Sequence, residues 1–365
     1  MDKIIDLVKW IFRTRSAWSV LLKAGLSLMV LGIGGGLVFE LAFAVTDKDR
    51  SIDIGLLGTS TPAWMAAITF VLGLSFCALA IFICHSDWKR NRELLKRQVC
   101  LVVEMRGLRD TPATPLLDYV QKQSSIACHP LTIDVRESLY DGEISDPDRA
   151  LSKVKTINER IVEAGQQRNP SDLSVVFGGL APVPFTFLAG LLVDDERYVE
   201  ILDWNRNKRS WSSLDDDDDG ERFVISEMTD VNGPSVSLCL SVSYEIAPAL
   251  VQGTFPNQPI VSMNLSSRSP DNHWSEIKQQ ALGQQFTETI LTLQSVGVNK
   301  IDLFLSAQMS FVFRLGALYD KRNMPVIFVH QYEPGEPPTY PWAVAMPVSG
   351  QRDATIVKSR WQKNF

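Results

Sequence analysis

Paired cysteines, clustered histidines and catalytic signatures are all missing from this sequence. Its five cysteines, Cys77, Cys84, Cys100, Cys128 and Cys239, include no CxxC pair, and two of them lie inside an apolar run. That usage fits a reducing compartment and argues against a disulfide framework or a zinc site. The four histidines (His85, His129, His273, His330) are scattered and read as incidental surface or core residues. There is no G-x-x-x-x-G-K-[ST], no G-x-S-x-G and no H-E-x-x-H. No catalytic residue and no metal ligand is therefore assigned. Positive charge is not in excess either: 36 Lys and Arg against 42 Asp and Glu give a net charge of −6. A DNA or RNA polymer is thus not expected as a partner, while a small anionic ligand held by a few local donors remains open.

What is present is concentrated at one end. A length of 365 residues suggests about two folded units, and the mean hydropathy of +0.01 hides a strongly apolar N-terminal part. Residues 24–45 (AGLSLMVLGIGGGLVFELAFAV) carry Glu40 as their only charge, and residues 62–84 carry none. Roughly 20 residues span a bilayer core, so both stretches predict transmembrane helices of a hairpin covering residues 19–88. A cleaved signal peptide fits poorly, because the first run is long, starts far from Met1 and is followed by a second. Lys3, Lys9, Arg13, Arg15 and Lys23 precede the first span, and Lys89, Arg90, Arg92, Lys96 and Arg97 follow the second. The positive-inside rule then places both ends in the cytoplasm. Gly32 and Gly36 have the spacing of a close helix–helix contact, which is equally common in spans with no role in assembly. Residues 1–18 are amphipathic and predict a helix lying on the membrane surface. Residues 89–98 form a basic juxtamembrane linker helix.

Residues 99–365 read as α/β. Val99–Met105 is strand-like, Pro112 and Pro115 open a helix to about Gln123, and Asp146–Ala164 has helical spacing. Leu173–Phe177 is a buried strand followed by GGLAPVPFTFLAGLL and a second strand, Tyr198–Trp204. Ile301–Leu305 is another, followed by SAQMSFVFRLGALY and the strand Met324–Gln331. Phe185-x-Phe187-x-x-Gly190 repeats as Phe311-x-Phe313-x-x-Gly316. Both copies run strand, loop, helix, strand, which predicts a duplicated α/β half with parallel strands, divided at about residues 99–230 and 231–365. Between them lie an acidic run, Asp215–Asp219, read as a solvated loop, a strand over Ser235–Ile246 and a helix from about Trp274 to Gln294.

Ligands of open α/β sheets bind outside the carboxyl ends of the strands. That rule points to Gly178 and Gly179, read as a ligand-contact loop, and to the equivalent loop Ser306-Ala307-Gln308-Met309-Ser310. A phosphate there could be held by amides at the helix start, with Ser306, Gln308 or Ser310 adding hydrogen bonds and Arg314 adding charge. Trp204, Trp211, Tyr332, Tyr340 and Trp342 fall at or beyond the second strand of each half. For these, core packing and stacking on a base are both open. The four phenylalanines of the repeat read as packing residues.

With these segments in view, IDLFLSAQMSFVFRLGALYDKRNMPVIFVHQYEPGEPPTYPWAVAM resembles the C-terminal half of the SAVED domain. VVFGGLAPVPFTFLAGLL with YVEILDW resembles its N-terminal half, and SLCLSVSYEI the linking strand. The similarity covers about Ser171 to Pro347 and extends less distinctly back to Val99. The order of segments together with the hairpin is similar to two-transmembrane SAVED effectors of CBASS, the cyclic-oligonucleotide-based anti-phage systems of bacteria. The resemblance implies two transmembrane helices plus a SAVED domain of two fused CARF-like (Rossmann-like) halves. It also implies a two-pass inner-membrane protein with both termini and the SAVED domain cytoplasmic, no cofactor and no enzymatic activity. The implied ligand is a cyclic oligonucleotide, a trinucleotide above others, made by a cognate nucleotidyltransferase. Ala181 and Pro182, the small-residue–proline pair of the first loop, join Gly178, Gly179, Trp204, Ser306, Gln308, Ser310, Arg314, Tyr332 and Tyr340 as implied ligand contacts. Head-to-tail self-association into oligomers or filaments would then cluster the hairpins in the lipid bilayer, disrupt the membrane and cause abortive infection. The competing readings are a membrane-bound, nucleotide-degrading enzyme of the ring-nuclease type and a structural membrane adaptor for a protein partner.

Overall fold

A computed structural model describes residues 16–33, 62–107, 114–140, 143–166, 169, 172–193, 199–228, 231–334, 339–351 and 353–358. The chain divides into two compact units, Met1–Leu95 and Lys96–Phe365. In the first, α1 (Ala17–Ile33) and α2 (Ala63–Arg97) pack against each other through small residues. A Cβ added at Gly73 would fall 2.7 Å from the Gly25 carbonyl oxygen and from the Met29 amide nitrogen. One at Gly32 would fall 2.8 Å from the Phe70 amide nitrogen. Gly32 is thus used inside the hairpin, and Gly36 lies outside the described residues. Among the described residues one helix, Trp64–Arg90, is long and apolar enough to cross a membrane. The second expected span, 62–84, coincides with it from Trp64 onward, and the basic linker 89–98 is no separate helix, because α2 continues unbroken to Arg97. The first span is described only as far as Ile33. Most of the amphipathic segment 1–18 and the loop between the spans lie outside the described residues. Val20, Val30, Ile68, Val71, Ile81 and Phe82 present their side chains outward, as a surface solvated by hydrocarbon requires.

The second unit is a duplicated α/β fold. Its first half runs β1 (Val99–Arg106), α3 (Leu116–Gln123), β2 (Ala127–Asp134), a small hairpin β3 (Leu139–Tyr140) and β4 (Glu143–Ile144), α4 (Pro147–Gly165), β5 (Leu173–Leu180), α5 (Val183–Leu192) and β6 (Val199–Ile201). A second hairpin, β7 (Asp203–Asn205) and β8 (Ser210–Ser212), and a short strand β9 (Val224–Ile225) lead into the second half. That half runs β10 (Ser235–Ser241), α6 (Pro248–Thr254), β11 (Ile260–Asn264), α7 (Glu276–Ser295), β12 (Lys300–Ser306), α8 (Met309–Leu318) and β13 (Val326–Gln331). It is extended by β14 (Trp342–Ala345) and β15 (Thr355–Lys358). The first sheet has the order β2-β1-β5-β6 and the second contains β11-β10-β12-β13, all parallel. The two orders are the same. In each, the order reverses between the first and third strands, which is the switch point where such sheets bind ligands. β14, β15 and β9 add antiparallel edges to the second sheet only.

Local chemistry explains most boundaries. Asp146 caps α4 by accepting from the Arg149 amide (3.0 Å), with Pro147 in the first turn. Ser275 caps α7 through the Lys278 amide (3.2 Å). The expected strand Tyr198–Trp204 is divided: its ladder with β5 ends with the bond from the Leu202 amide to the Phe177 carbonyl (2.9 Å), and Asp203 starts a separate hairpin. The expected strand 235–246 stops at Ser241, where Val242 and Ser243 both donate to the Ser306 carbonyl (2.9 Å each).

One core fills the space between the sheets and includes residues of both halves. At its centre α5 crosses α8. A Cβ on Gly190 would collide with the Phe313 carbonyl, and one on Gly316 would collide with the Phe187 carbonyl. The repeated F-x-F-x-x-G motif is therefore the contact of the two halves with each other: each copy's glycine receives the backbone of the other copy's second phenylalanine. Phe185, Phe187, Phe311 and Phe313 are all buried, and Phe177 stacks on Phe313 with centroids 3.8 Å apart. Substituting Gly316→Ala is expected to cost about 1–3 kcal/mol in urea unfolding, since the obstacle is backbone. Gly253→Ala in α6, where an added Cβ meets nothing within 4 Å, is expected to be neutral or stabilising. Equal effects at the two sites would disprove the crossing as the fold's tight point.

Candidate functional site

The carboxyl ends of the central strands of both sheets open on one cavity of about 200 Å3. Leu180 ends β5 and Ala181 follows it, Ser243 and Tyr244 follow β10, and Ala307 and Gln308 follow β12. Asp203, Trp204 and Arg206 reach it from the β7–β8 hairpin, and Pro270, Asp271, His273 and Trp274 from the loop before α7. A shallower groove of about 470 Å3 lies at the opposite ends of β12 and β13, around Asn299 and Val326. The first cavity draws on both switch points.

Asp203 joins the halves. Its buried carboxylate accepts from the Trp204 amide (2.8 Å) and from the Ser310 amide in the first turn of α8 (3.1 Å). A negative group at a helix N-terminus is stabilised by the unpaired amides and the helix dipole. At the start of α8 the Ser310 amide, expected at a phosphate, is thus taken by the chain's own carboxylate. The start of α5 offers little in its place. Pro182 and Pro184 lack N–H groups, and the Phe185 and Thr186 amides turn back to the Pro182 carbonyl (3.1 and 3.0 Å). The His273 imidazole lies 3.4 Å from the Asp203 carboxylate, is buried, and makes no hydrogen bond through either ring nitrogen among the described residues.

Of the residues expected at a ligand, Ala181, Trp204 and Gln308 line this cavity, and Pro182 sits beside it as the cap of α5. Gln308 donates to the Ser269 and Pro270 carbonyls (3.1 and 2.6 Å), pinning the wall formed by that loop. Ser306 stands at the edge, where its hydroxyl accepts from the Tyr244 amide (3.1 Å) and meets the Ser243 hydroxyl (3.2 Å). Ser310 is fully buried and shares its hydroxyl with Gln279 (3.0 Å). Arg314 turns to α7, bonding Gln279 (3.2 Å) and Glu276 (3.3 Å). Gly178 and Gly179 form no loop. Both belong to β5, where Gly178 packs under Leu202, Leu116 and Trp211, and a Cβ on Gly179 would strike Met105 of the paired strand. Trp211 is core, donating to the Thr114 carbonyl (2.9 Å) and bracing Trp204 edge-on at 5.4 Å. Trp342 is core as well, donating to Glu333 (3.0 Å).

The acidic run also departs from a simple solvated loop. Asp219 and Glu221 grip the buried Lys278 ammonium (2.7 and 3.0 Å), Glu221 accepts from the Ser267 amide (2.6 Å), and Asp216 donates its amide to the Trp274 carbonyl (3.0 Å). Arg222 holds the Asp218 carboxyl down at about 2. The run therefore buttresses the Ser267–Trp274 wall. No group of three or more His, Cys, Asp and Glu residues among the described ones is placed to hold a metal.

Tyr332 and Tyr340 stand apart from the cavity, around a buried His330–Asp302 pair. His330 stacks on Phe304 (4.6 Å), Tyr340 meets Phe304 edge-on (4.7 Å), and Tyr332 meets Tyr340 (5.8 Å). Asp302 accepts from Gln258 (2.9 Å), contacts Lys300 (3.0 Å) and pairs with His330 (2.9 Å). Burial pushes the His330 imidazole below its usual pKa, although Asp302 opposes it. Burial acts to raise Asp302, and its bonds to His330 and Gln258 with the Lys300 charge hold it below the usual range. On acidification the unfolded chain protonates this histidine near pH 6.5 while the folded one resists. Stability should fall as pH drops from about 6.5 toward the folded value, with a further loss below about pH 4 from Asp302. Urea titrations between pH 7 and pH 5.5 should show the first loss, and His330→Phe should flatten it. Stabilisation on acidification in that window would contradict the assignment.

Comparison with known proteins adds the following. The fold is similar to the Acinetobacter baumannii Cap4 SAVED/CARF-domain containing receptor with the cyclic trinucleotide 2'3'3'-cAAA (13% identity, TM-score 0.46). The Moraxella osloensis Cap4 SAVED/CARF-domain containing receptor is similar too (16% identity, TM-score 0.41). The matches cover 78% and 77% of this chain and 59% and 60% of those chains, so this chain spans less than two thirds of their length. No curated protein matches. Residues 1–151 match the SAVED-fused 2TM effector domain, a two-helix membrane segment. Residues 155–346, more than half of the chain, match the SMODS-associated and fused to various effectors sensor domain, and the duplicated sheets with their shared cavity are those of a chain that belongs to this SAVED family.

Proposed function

We propose that this chain is a membrane-anchored anti-phage effector whose SAVED domain senses a cyclic oligonucleotide, a cyclic trinucleotide above others. The observation that carries the reading is the single cavity lined from both switch points. Trp204 on one side and Tyr244 and Trp274 on the other offer aromatic faces for bases. Ala181, Gln308 and Ser306 belong to the same rim; Gly178, Gly179, Ser310, Arg314, Tyr332 and Tyr340 act on it through packing or not at all.

At about 200 Å3 the enclosed space is below the roughly 300–1,000 Å3 that buries a drug-sized ligand. A cyclic trinucleotide would seat one unit inside and leave the rest across the mouth, beside the exposed Tyr244. A second copy meeting that uncovered face with a different surface makes a head-to-tail contact, which can propagate. Assembly of this kind gathers the hairpins and breaches the bilayer. The chain performs no chemistry in this scheme, and both termini lie in the cytoplasm of a bacterial inner-membrane protein.

One observation favours a second reading. His273 beside Asp203 in the cavity is a pairing that a general base would need, as in a nucleotide-degrading enzyme.

Full-length protein in detergent should bind cyclic tri-AMP, grow in mass by light scattering, and release dye from reconstituted vesicles only when the nucleotide is present. The recovered nucleotide should be intact by mass spectrometry; linear product would favour the enzyme. Failure of every cyclic di-, tri- and tetranucleotide to bind would end the sensor reading.

A further inference from the structure

The β7–β8 hairpin ends in Arg206-Asn207-Lys208-Arg209, all four exposed, beside the cavity that Arg206 itself lines. Three cations in four positions stand out in a chain whose net charge is −6. Other arginines near the strand ends are already engaged: Arg106 with Glu104 (2.7 Å), Arg136 with Asp134, Arg268 with Glu245 (3.4 Å) and Arg314 with Glu276 (3.3 Å). Among the described residues Arg206, Lys208 and Arg209 enter no ion pair.

The tip is held firmly from below. Asn205 is buried and accepts the Lys208 amide (2.8 Å), Asn205 pairs with Ser210, Trp204 rests on Trp211, and Asp203 is tied to the start of α8. Arg209 has φ 48°, the left-handed region that glycine or asparagine occupies more easily. The cavity also needs the charge. Its own carboxylates, Asp203 and Asp271, would repel a phosphodiester, and the helix starts are closed to it by Asp203, Pro182 and Pro184.

Resting on the sensor reading, we infer that the β7–β8 tip is the phosphate clamp of the site. Arg206 takes the linkage at the cavity mouth, and Lys208 and Arg209 take those of the part left outside. The aromatic walls hold the bases and the hairpin holds the charge.

The test uses full-length protein in phosphatidylcholine nanodiscs with cyclic di-, tri- and tetra-AMP as probes, at low and high salt. Arg206→Ala should weaken the bound probe by about tenfold or more, and the Arg206→Glu/Lys208→Glu/Arg209→Glu triple should lose it. Arg206→Ala should also flatten the salt dependence of the wild type. Arg209→Gly should weaken binding without lowering Tm, because the backbone is relieved as the charge is lost; Arg160→Glu on α4 should bind as wild type. Hydrogen exchange over residues 203–212 should slow when nucleotide is added. Binding by the triple within twofold of wild type overturns the clamp and leaves the sensor reading standing. No binding of any probe by the wild type overturns both. Protection of 203–212 only in phosphatidylglycerol nanodiscs, without nucleotide, assigns the tip to lipid headgroups and overturns the clamp as well.

Discussion

The crossing of α5 on α8 is the contact on which the rest of the SAVED unit depends. Two helices approach this closely only where side chains are absent at the crossing, and here each half supplies one glycine and one phenylalanine carbonyl to the other. The contact is reciprocal, so the two sheets are related by an approximate twofold through it. Equivalent loops then meet: the end of β5 and the ends of β10 and β12 open on one space. A single half would have a switch point but only part of a cavity. Gene duplication alone does not produce the site; the glycine crossing does, by fixing how the copies face.

Asp203 shows how far the two copies have diverged. It is the residue at which the second strand of the first half breaks, and its carboxylate reaches the start of the second half's helix. The link is polar, buried and made across the halves, and it is made at the cost of desolvating the carboxylate. Its position at the cavity floor means that any ligand drawing on His273 or on the Ser310 amide competes with a contact between the halves.

Much of the architecture could be read in the sequence because it is periodic. The apolar run 62–84, the strands near 99, 173, 301 and 324, and the repeated F-x-F-x-x-G were legible, and the resemblance to SAVED domains follows their order. What the repeat meant was not. Glycines after a strand suggested a ligand loop, while Gly178 and Gly179 serve strand packing and Gly190 and Gly316 serve the crossing. A one-dimensional pattern registers a missing side chain without saying which neighbour needs the space. The cavity wall was missed for the same reason: Asp203 on β7, Tyr244 after β10, and His273 and Trp274 before α7 come from segments far apart in sequence and meet only after both halves fold. One signal was available. Arg206-Asn207-Lys208-Arg209, flanked by Asn205 and Ser210, is a cationic turn in an acidic chain.

Charge distribution also bears on what such a site can select. A protein with net negative charge and a general deficit of basic surface repels long polyanions, whose binding depends on neutralising many phosphates at once. A compact ring presents few phosphates, and they fall within reach of a single cationic hairpin tip. Bases stacked on Trp204, Tyr244 or Trp274 add contacts that a duplex, with its bases already stacked, does not offer. Small size, free base faces and a handful of charges are what the proposed site would reward, and a nucleic-acid polymer has neither the first nor the last. On the proposed reading, local positive charge inside a negative whole acts as a filter that favours a small cyclic nucleotide over long polyanions.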